Sequence, residues 1–174
     1  MKVHDAIAAR QSVREYKDHA IEPEKLERVL EATRLAPSAG NRQEWRFVVV
    51  QDRELRHKLI EAARGQEFVG QAPVVIVACG VGTDHLMPCG LPSFSIDVAI
   101  ALDHLSLVAV EEGLGTCWIG AFDQEKVKAL LGIPDDVCIV ELMPLGYPAD
   151  TPRSKQRKGL DEIAMRERWN QPWQ

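Results

Sequence analysis

The chain has 174 residues, of which 45% are apolar and 27% charged, and its formal net charge is -5. This length and balance suit one globular unit with a proper core, so we expect a single domain over residues 1–174. The acidic balance argues against a general nucleic-acid-binding protein. We expect no membrane span, because no uncharged apolar run of about 20 residues occurs. A cytoplasmic location is expected by default, since residues 1–5 lack the apolar core of a signal peptide.

The first feature in chain order is a short helix over residues 2–9 that runs into an extended segment with two arginines. Alternation places Arg10, Ser12 and Arg14 on one side of that segment and Val13 on the other. Two guanidinium groups and a hydroxyl on one side can cradle an anion, because arginine binds phosphate through paired hydrogen bonds. Judged from spacing alone, a surface turn with ordinary charges is the simpler explanation.

A second helix is predicted from Pro23, because apolar side chains then recur at helical spacing. It should end before Pro37, since the residue preceding a proline is pushed out of the α region. The polar loop that follows, residues 38–43, carries small side chains. Gly40 and Asn41 tolerate left-handed backbone there, so a flat ligand could come close to the chain.

Two apolar, β-branched runs predict buried strands, at residues 45–51 and 73–79. The first is expected to be a covered central strand, because residues 47–50 are apolar on both faces. Between the two strands, Asp52 should cap a helix that continues to about residue 64. Residues 80–93 are rich in glycine and proline and predict an irregular loop.

Residues 94–113 predict a helix that is apolar nearly all round. A surface helix needs only an apolar stripe, so this one must be buried on more than one side. It lies either at the centre of the domain or at a contact between subunits. Gly113 and Gly115 should terminate it.

A strand and turn over residues 116–123 come next, where Gly120 lacks bulk and would let a ring edge approach the backbone. A tight strand-to-helix turn capped by Asp123 explains the same residues equally well. A helix over residues 124–131 and a buried strand over residues 137–145 follow.

The C-terminal part of the chain begins with a basic segment, residues 153–158, and four of its side chains are positive: Arg153, Lys155, Arg157 and Lys158. A basic pocket in an acidic protein suggests a small anionic ligand, although a solvated basic tail is the simpler alternative. Residues 160–169 predict a short helix that ends in an aromatic tail.

The four cysteines, Cys79, Cys89, Cys117 and Cys138, are widely spaced, and three of them lie in apolar, strand-like runs. They are expected to be small buried hydrophobic side chains. Cys79, His85 and Cys89 could in principle ligate a metal, but no Cys-x-x-Cys pair is present, so we expect no metal site.

Five stretches together resemble the nitroreductase family of FMN-dependent NAD(P)H oxidoreductases. They are Arg-x-Ser-x-Arg at 10–14, Pro-Ser-Ala-Gly-Asn-Arg-Gln-Glu-Trp at 37–45, Gln-Ala-Pro at 71–73, Gly-Leu-Gly-Thr-Cys-Trp-Ile-Gly-Ala-Phe at 113–122 and Leu-Gly-Tyr-Pro at 145–148. They follow the family order and cover essentially the whole chain. Glu44 departs from the pattern, because the family usually has proline there. Rossmann and Walker A glycine motifs are both missing.

The resemblance implies an α+β fold with three α/β/α layers, in which helices flank a central, mostly antiparallel sheet. It also implies an intertwined homodimer built around the long helix 94–113. The C-terminal segment, residues 152–174, is expected to reach the partner subunit.

The resemblance further implies FMN as cofactor and NADH or NADPH as co-substrate. Hydride would pass in a ping-pong cycle from the nicotinamide to the flavin and on to a nitroaromatic, quinone or similar electron-poor small molecule. The residues it assigns to the FMN phosphate are Arg10, Ser12, Lys155 and Arg157. Arg14 is assigned to the pyrimidine end of the flavin. The residues assigned to the flavin of the other subunit are Pro37, Ser38 and Asn41. The remaining predicted cofactor contacts are Gln11, Gln66, Ile119 and Gly120.

No side chain is assigned a catalytic acid or base role, because the motif regions offer no lone histidine or carboxylate for it. Other classes of protein remain open. One is a flavin-binding carrier or sensor without turnover, and another is a purely structural dimeric α+β protein. Relatives that dehalogenate or fragment flavin share the implied fold.

Overall fold

Four strands form one antiparallel sheet in this computed structural model, which describes residues 1–151 and 154–173. In chain order the strands are β1 (Trp45–Val50), β2 (Val74–Gly80), β3 (Gly115–Thr116) and β4 (Cys138–Gly146). They lie side by side in the order β1-β2-β4-β3. The predicted antiparallel sheet is therefore confirmed.

The helices lie on both faces of the sheet. They are α1 (Val3–Ala9), α2 (Pro23–Arg34), α3 (Arg53–Ala62), α4 (Phe68–Gln71), α5 (Ser93–Glu111), α6 (Gln124–Leu131) and α7 (Leu160–Ile163). Buried side chains of α2 and α5 pack on one face, and those of α3, α4 and α6 pack on the other. This is the predicted three-layer α/β/α arrangement.

The predicted central position of the first strand is wrong, because β1 lies at the edge of the sheet and pairs with β2. Phe47 and Val49 pack against the core on the α5 face, and Val48 packs against the core on the opposite face. Helices thus cover both faces of an edge strand, which gives it the apolar character expected of a central one. The fully buried β2 is a true central strand.

Helix α5 is the core helix that its composition predicts. Val98, Leu102 and Leu105 are fully buried and pack with β2 and β4 in one cluster. By length and composition alone this helix could span a membrane. Its packing against the sheet and α2 explains the same composition, because a helix enclosed by protein needs no polar face.

Helix ends follow the sequence signals in the middle of the chain and depart from them at the C-terminal end. Asp52 accepts a hydrogen bond from the Leu55 N–H at 2.9 Å, as an N-cap should. The helix predicted over residues 160–169 is only one turn long, α7, which is a second correction. Glu167 and Asn170 adopt left-handed backbone (φ 62° and 64°), which cannot continue a helix.

Candidate functional site

The extended segment after α1 lies along β3. Ser12 pairs with Thr116 in a parallel bridge, and the Val13 N–H donates to the Thr116 carbonyl at 2.9 Å. Val13 is buried while Arg14 is exposed, so the predicted alternation is confirmed. The segment therefore presents its polar residues at the edge of the sheet.

Three of the predicted phosphate-binding cations come together at this edge. The Lys155 ammonium donates to the Ala8 carbonyl at 2.5 Å, which fixes the basic segment against the end of α1. Burial, and then the charges of Arg10 and Arg157, lower the pKa of Lys155. Within residues 1–151 and 154–173, none of these three cations forms an ion pair with a carboxylate. Arg153 lies outside the described residues.

The turn after β3 provides an open backbone surface. Ile119 is buried and exchanges two backbone hydrogen bonds with Leu142, at 3.0 and 3.1 Å. This register sets Gly120 opposite Glu141. Gly120 is exposed, and the nearest atom to a Cβ built on it is an oxygen of Glu141 at 4.0 Å. A flat group can therefore approach the Gly120 backbone without meeting a side chain.

Glu141 is a site residue that the motifs did not indicate. It is partly buried, and its Oε1 atom is inaccessible and has no hydrogen-bond partner. Burial raises the pKa of this carboxyl to about 7, with a smaller opposing effect from the Ile119 backbone. The sequence did contain a signal for it, because Glu141 is the one acid within the apolar run 139–145. A buried strand tolerates a charged side chain poorly, so such an acid indicates a special role.

The loop predicted to contact a flat ligand is held by α5. Both carboxylate oxygens of Asp97 accept from the Ala39 N–H, at 3.1 and 3.2 Å. Ser38 accepts a hydrogen bond on its hydroxyl from the Gln43 N–H at 3.0 Å. Asn41 has φ 55°, as its predicted left-handed tolerance requires. The sequence motifs did not indicate Asp97 either. An acid within an apolar helix is a signal of the same kind as the acid Glu141 within an apolar strand.

Within one chain the two halves of the predicted site lie far apart. Asp97 and the 38–41 loop are at the beginning of α5. The segment that begins with Arg10 pairs through Ser12 with Thr116, five residues after α5 ends at Glu111, which places Arg10 toward that end. A rise of 1.5 Å per residue separates positions 97 and 111 by about 21 Å. The structure therefore does not bring Pro37, Ser38 and Asn41 together with the basic cluster in a single chain.

The remaining predicted contacts lie near the turn after β3. The Gln66 side-chain amide donates to the carbonyls of Ala63 and Ala121, at 2.9 and 3.3 Å. It therefore braces this turn against the end of α3. Gln11 is partly buried in the extended segment. Their contact with a flavin stays a prediction.

Metal-ligating side chains do not converge in the part of the chain that is described. There, no group of three or more His, Cys, Asp or Glu residues is placed to hold an ion. Cys79 is buried in β2, and burial raises the pKa of its thiol to about 11. A thiol with that pKa is a poor ligand at neutral pH, since the thiolate is the species that binds metals.

The fold is α+β, and the basic edge suits an anionic ligand. Comparisons with known proteins bear on the fold and the family. The model of the nitroreductase family matches residues 7–67 and 60–147. A Bacillus subtilis protein named FMN reductase (NAD(P)H) is 31% identical over 173 residues, covering 90% of this chain and 70% of its own length. A Rhodospirillum rubrum protein named 5,6-dimethylbenzimidazole synthase is 30% identical over 167 residues, covering 81% of this chain and 79% of its own length.

A solved structure gives the same result. A nitroreductase family protein from Clostridium difficile superposes with a TM-score of 0.88 at 34% identity, over 97% of this chain and 99% of that one. The chain belongs to the nitroreductase family. The family predicted from the sequence is confirmed, and so is its fold.

The residues present fit an FMN molecule by the chemistry of their donors. Arg10, Lys155 and Arg157 supply positive charge that no described carboxylate neutralises, which suits a phosphate. Gly120 supplies exposed backbone with no side chain in front of it, which suits the edge of a planar ring. The segment that carries Arg10 and the strand that leads to Gly120 are joined by the bridge between Ser12 and Thr116.

Proposed function

We propose that this protein is an FMN-dependent oxidoreductase that takes hydride from NADH or NADPH and reduces a nitroaromatic, a quinone or a similar electron-poor acceptor. We further propose that it works as a cytoplasmic homodimer. The observation that carries the proposal is the cluster of Arg10, Lys155 and Arg157, which no described carboxylate neutralises, at the end of the segment that pairs with β3. The name of the Bacillus subtilis relative supports the choice of cofactor and co-substrate.

When bound, FMN would supply the redox chemistry for a ping-pong transfer of hydride from the nicotinamide to the acceptor. The protein supplies position and field. Arg10, Lys155 and Arg157 bind the phosphate, and Ser12 donates a hydrogen bond to it. Arg14 provides positive charge at the pyrimidine end, where it stabilises negative charge that develops on the ring.

The proposed dimer accounts for surfaces that one chain leaves uncovered. A groove lined by α1, α2 and α5 is largely apolar, and it includes Leu35, Leu107 and Val108. Leu35 is 64% exposed, and Trp169 in the C-terminal segment is 82% exposed. A second copy packed along α5 would cover such side chains and bring its 38–41 loop to the basic cluster of the first.

A second candidate is the flavin-fragmenting enzyme that the family resemblance leaves open, and one relative, 30% identical to this chain, is named as a synthase and not as a reductase. The two candidates differ in what happens to the cofactor. An oxidoreductase returns the flavin unchanged after each cycle. In a flavin-consuming enzyme the flavin absorbance would disappear for good during aerobic incubation with reductant.

The deciding experiment is the absorbance spectrum of the purified protein during turnover. We expect a yellow protein that NADH or NADPH bleaches rapidly and that a nitroaromatic restores to its full initial absorbance. A bound flavin that neither nucleotide bleaches would indicate the carrier or sensor alternative. A colourless protein that takes up no added FMN would overturn the proposal and favour a purely structural role.

A further inference from the structure

Glu141 is an acid placed inside the sheet beside the candidate site. Strand β4 pairs Glu141 with Ala78 and then Ile139 with Cys79, so the register shifts by one residue between these pairs. Such a bulge redirects side chains and is frequent next to active sites. The shift lies on the Ile139 side of Glu141, which keeps the regular register of Met143 and Leu145 and lies with Ala78 on the face of the sheet that α5 covers.

The carboxyl has little to stabilise a negative charge. One oxygen is buried without a hydrogen-bond partner, and no cation contributes to the pKa of Glu141. Burial is the main reason why that pKa is about 7, so the group is largely neutral below neutral pH.

The titratable groups around Glu141 are two thiols that are neutral near pH 7. The charged groups Arg14 and Asp150 act on one of these thiols. On the β3 side the nearest is Cys117, whose pKa is raised mainly by burial, and also by Glu141. On β2, Cys79 follows the facing Ala78 and is kept neutral by burial. Arg14 and Asp150 act on Cys117 from the extended segment and from the end of β4.

The other oxygen of Glu141 lies toward the open backbone of Gly120. This oxygen is the nearest atom, at 4.0 Å, to the position that a Cβ of Gly120 would take. The partly buried Glu141 side chain and the exposed Gly120 backbone thus lie opposite each other on neighbouring segments. A change of charge on a group lying against Gly120 would change the electrostatic energy of the Glu141 carboxylate, because the distance is short and little water intervenes.

We propose that Glu141 couples the reduction of the bound cofactor to the uptake of a proton from solvent. The inference rests on the proposed function. Hydride from NAD(P)H carries two electrons and one proton to the ring, which becomes negatively charged. That charge raises the affinity of the Glu141 carboxylate for a proton, and one solvent proton forms its O–H bond. The protein then holds a neutral acid next to the new charge, and the charges balance.

The first test needs no cofactor. Infrared spectra of the cofactor-free protein should show the carbonyl band of a protonated carboxyl that disappears as pH rises through about 7. Glu141→Gln should abolish this titrating band, whereas Glu67→Gln, at an exposed position before α4, should retain it. A protein with no protonated carboxyl above pH 6 would overturn the inference.

The second test measures protons taken up per flavin reduced, from the pH dependence of the midpoint potential of the FMN-loaded protein. Above pH 7, where Glu141 is mostly ionised before reduction, the wild-type protein and Glu67→Gln should take up close to one proton more than Glu141→Gln. The reduction equilibrium should therefore change by about an additional tenfold per pH unit. Glu141→Leu, apolar and of similar size, should match Glu141→Gln and replaces it if glutamine disturbs the strand.

The outcomes separate this inference from the proposed function. Equal proton uptake in the wild-type protein and in Glu141→Gln, with normal bleaching by NAD(P)H, overturns the coupling and leaves the oxidoreductase intact. Failure to take up FMN overturns the proposed function and the coupling with it. A lower proton uptake in Glu141→Gln, together with the titrating infrared band, supports the inference.

Discussion

The Asp97 carboxylate binds the backbone of Ala39 with both of its oxygens, at 3.1 and 3.2 Å. Asp97 is 4% exposed and belongs to the helix that carries the core. The loop that the family motif identifies is therefore fixed to the buried core helix of the domain. A loop held in this way presents its small side chains in one conformation, and less entropy is lost when a ligand binds.

Asp97→Ala should weaken FMN binding and lower the free energy of unfolding by about 1–3 kcal/mol, because it leaves the Ala39 N–H without its acceptor. Asp97→Asn retains an acceptor oxygen and should have the smaller effect. Urea unfolding of the cofactor-free protein and titration with FMN measure the two quantities. Asp103→Ala, at an exposed position of the same helix, is the control. Equal losses in both alanine variants would contradict the anchoring role.

Arg10→Ala and Arg157→Ala should each weaken FMN binding by about 1.5–3 kcal/mol, the contribution of a lost charge-assisted hydrogen bond. Fluorescence titration of the cofactor-free variants measures the change directly. Lys158→Ala is the matched control, because Lys158 belongs to the same basic segment but is not among the charges that act on Lys155. Unchanged affinity in both arginine variants would remove the proposed phosphate site.

Mixed dimers test whether the basic cluster of one chain and the 38–41 loop of the other chain form one site. A chain carrying Arg10→Ala combined with a chain carrying Ser38→Ala should form one intact site and one site with both defects. The mixed dimer should therefore bind about half the FMN of the wild-type dimer with normal affinity. Two weakened sites, each with a single defect and neither intact, would show that Ser38 serves the site of its own chain.

Two glycines on the strand and turn beside the extended segment should respond differently to alanine. A Cβ at Gly115 would overlap the Val13 side chain, whereas a Cβ at Gly120 meets no atom closer than 4.0 Å. Gly115→Ala should cost about 1–3 kcal/mol of stability through overpacking. Gly120→Ala should leave stability within about 0.5 kcal/mol and still weaken FMN binding, because its methyl group occupies the surface of the ring. Unfolding and binding curves for both variants would reveal a failure of either half of this prediction.

The raised pKa of Glu141 has a consequence for stability. The folded state binds the proton up to about pH 7, whereas the unfolded state loses it near its ordinary value of 4.5. The folded state thus holds more protons between these values, so its stability should fall as pH rises through this window. Glu141→Gln should remove this decline, a gain over wild type of about 1–2 kcal/mol at pH 8 after allowance for partial exposure. Glu67→Gln should decline like wild type, and parallel curves for all three proteins would contradict the assignment.

Local signals in the sequence account for most of the elements. Asp52 and Asp123 cap the helices that they were predicted to cap, since an N-cap bond spans only three residues. Gly132 adopts the left-handed conformation that ends α6. The helix predicted over residues 160–169 is shorter than expected because no local sequence signal marks its end. Glu167 and, just beyond that range, Asn170 adopt left-handed backbone although no turn motif includes them.

The sequence by itself determined the family, the core helix and the order of strands and helices along the chain, because these depend on periodicity, caps and contiguous motifs. Only the tertiary structure decided that β1 lies at the edge, that Asp97 holds the 38–41 loop, and that Glu141 faces Gly120. Each of these depends on which distant segments pair and in which register. Glu141 owes its face to the unbroken pairing of β4 with β2 from Leu145 to Glu141, and nothing adjacent to it in the chain specifies that partner or that register.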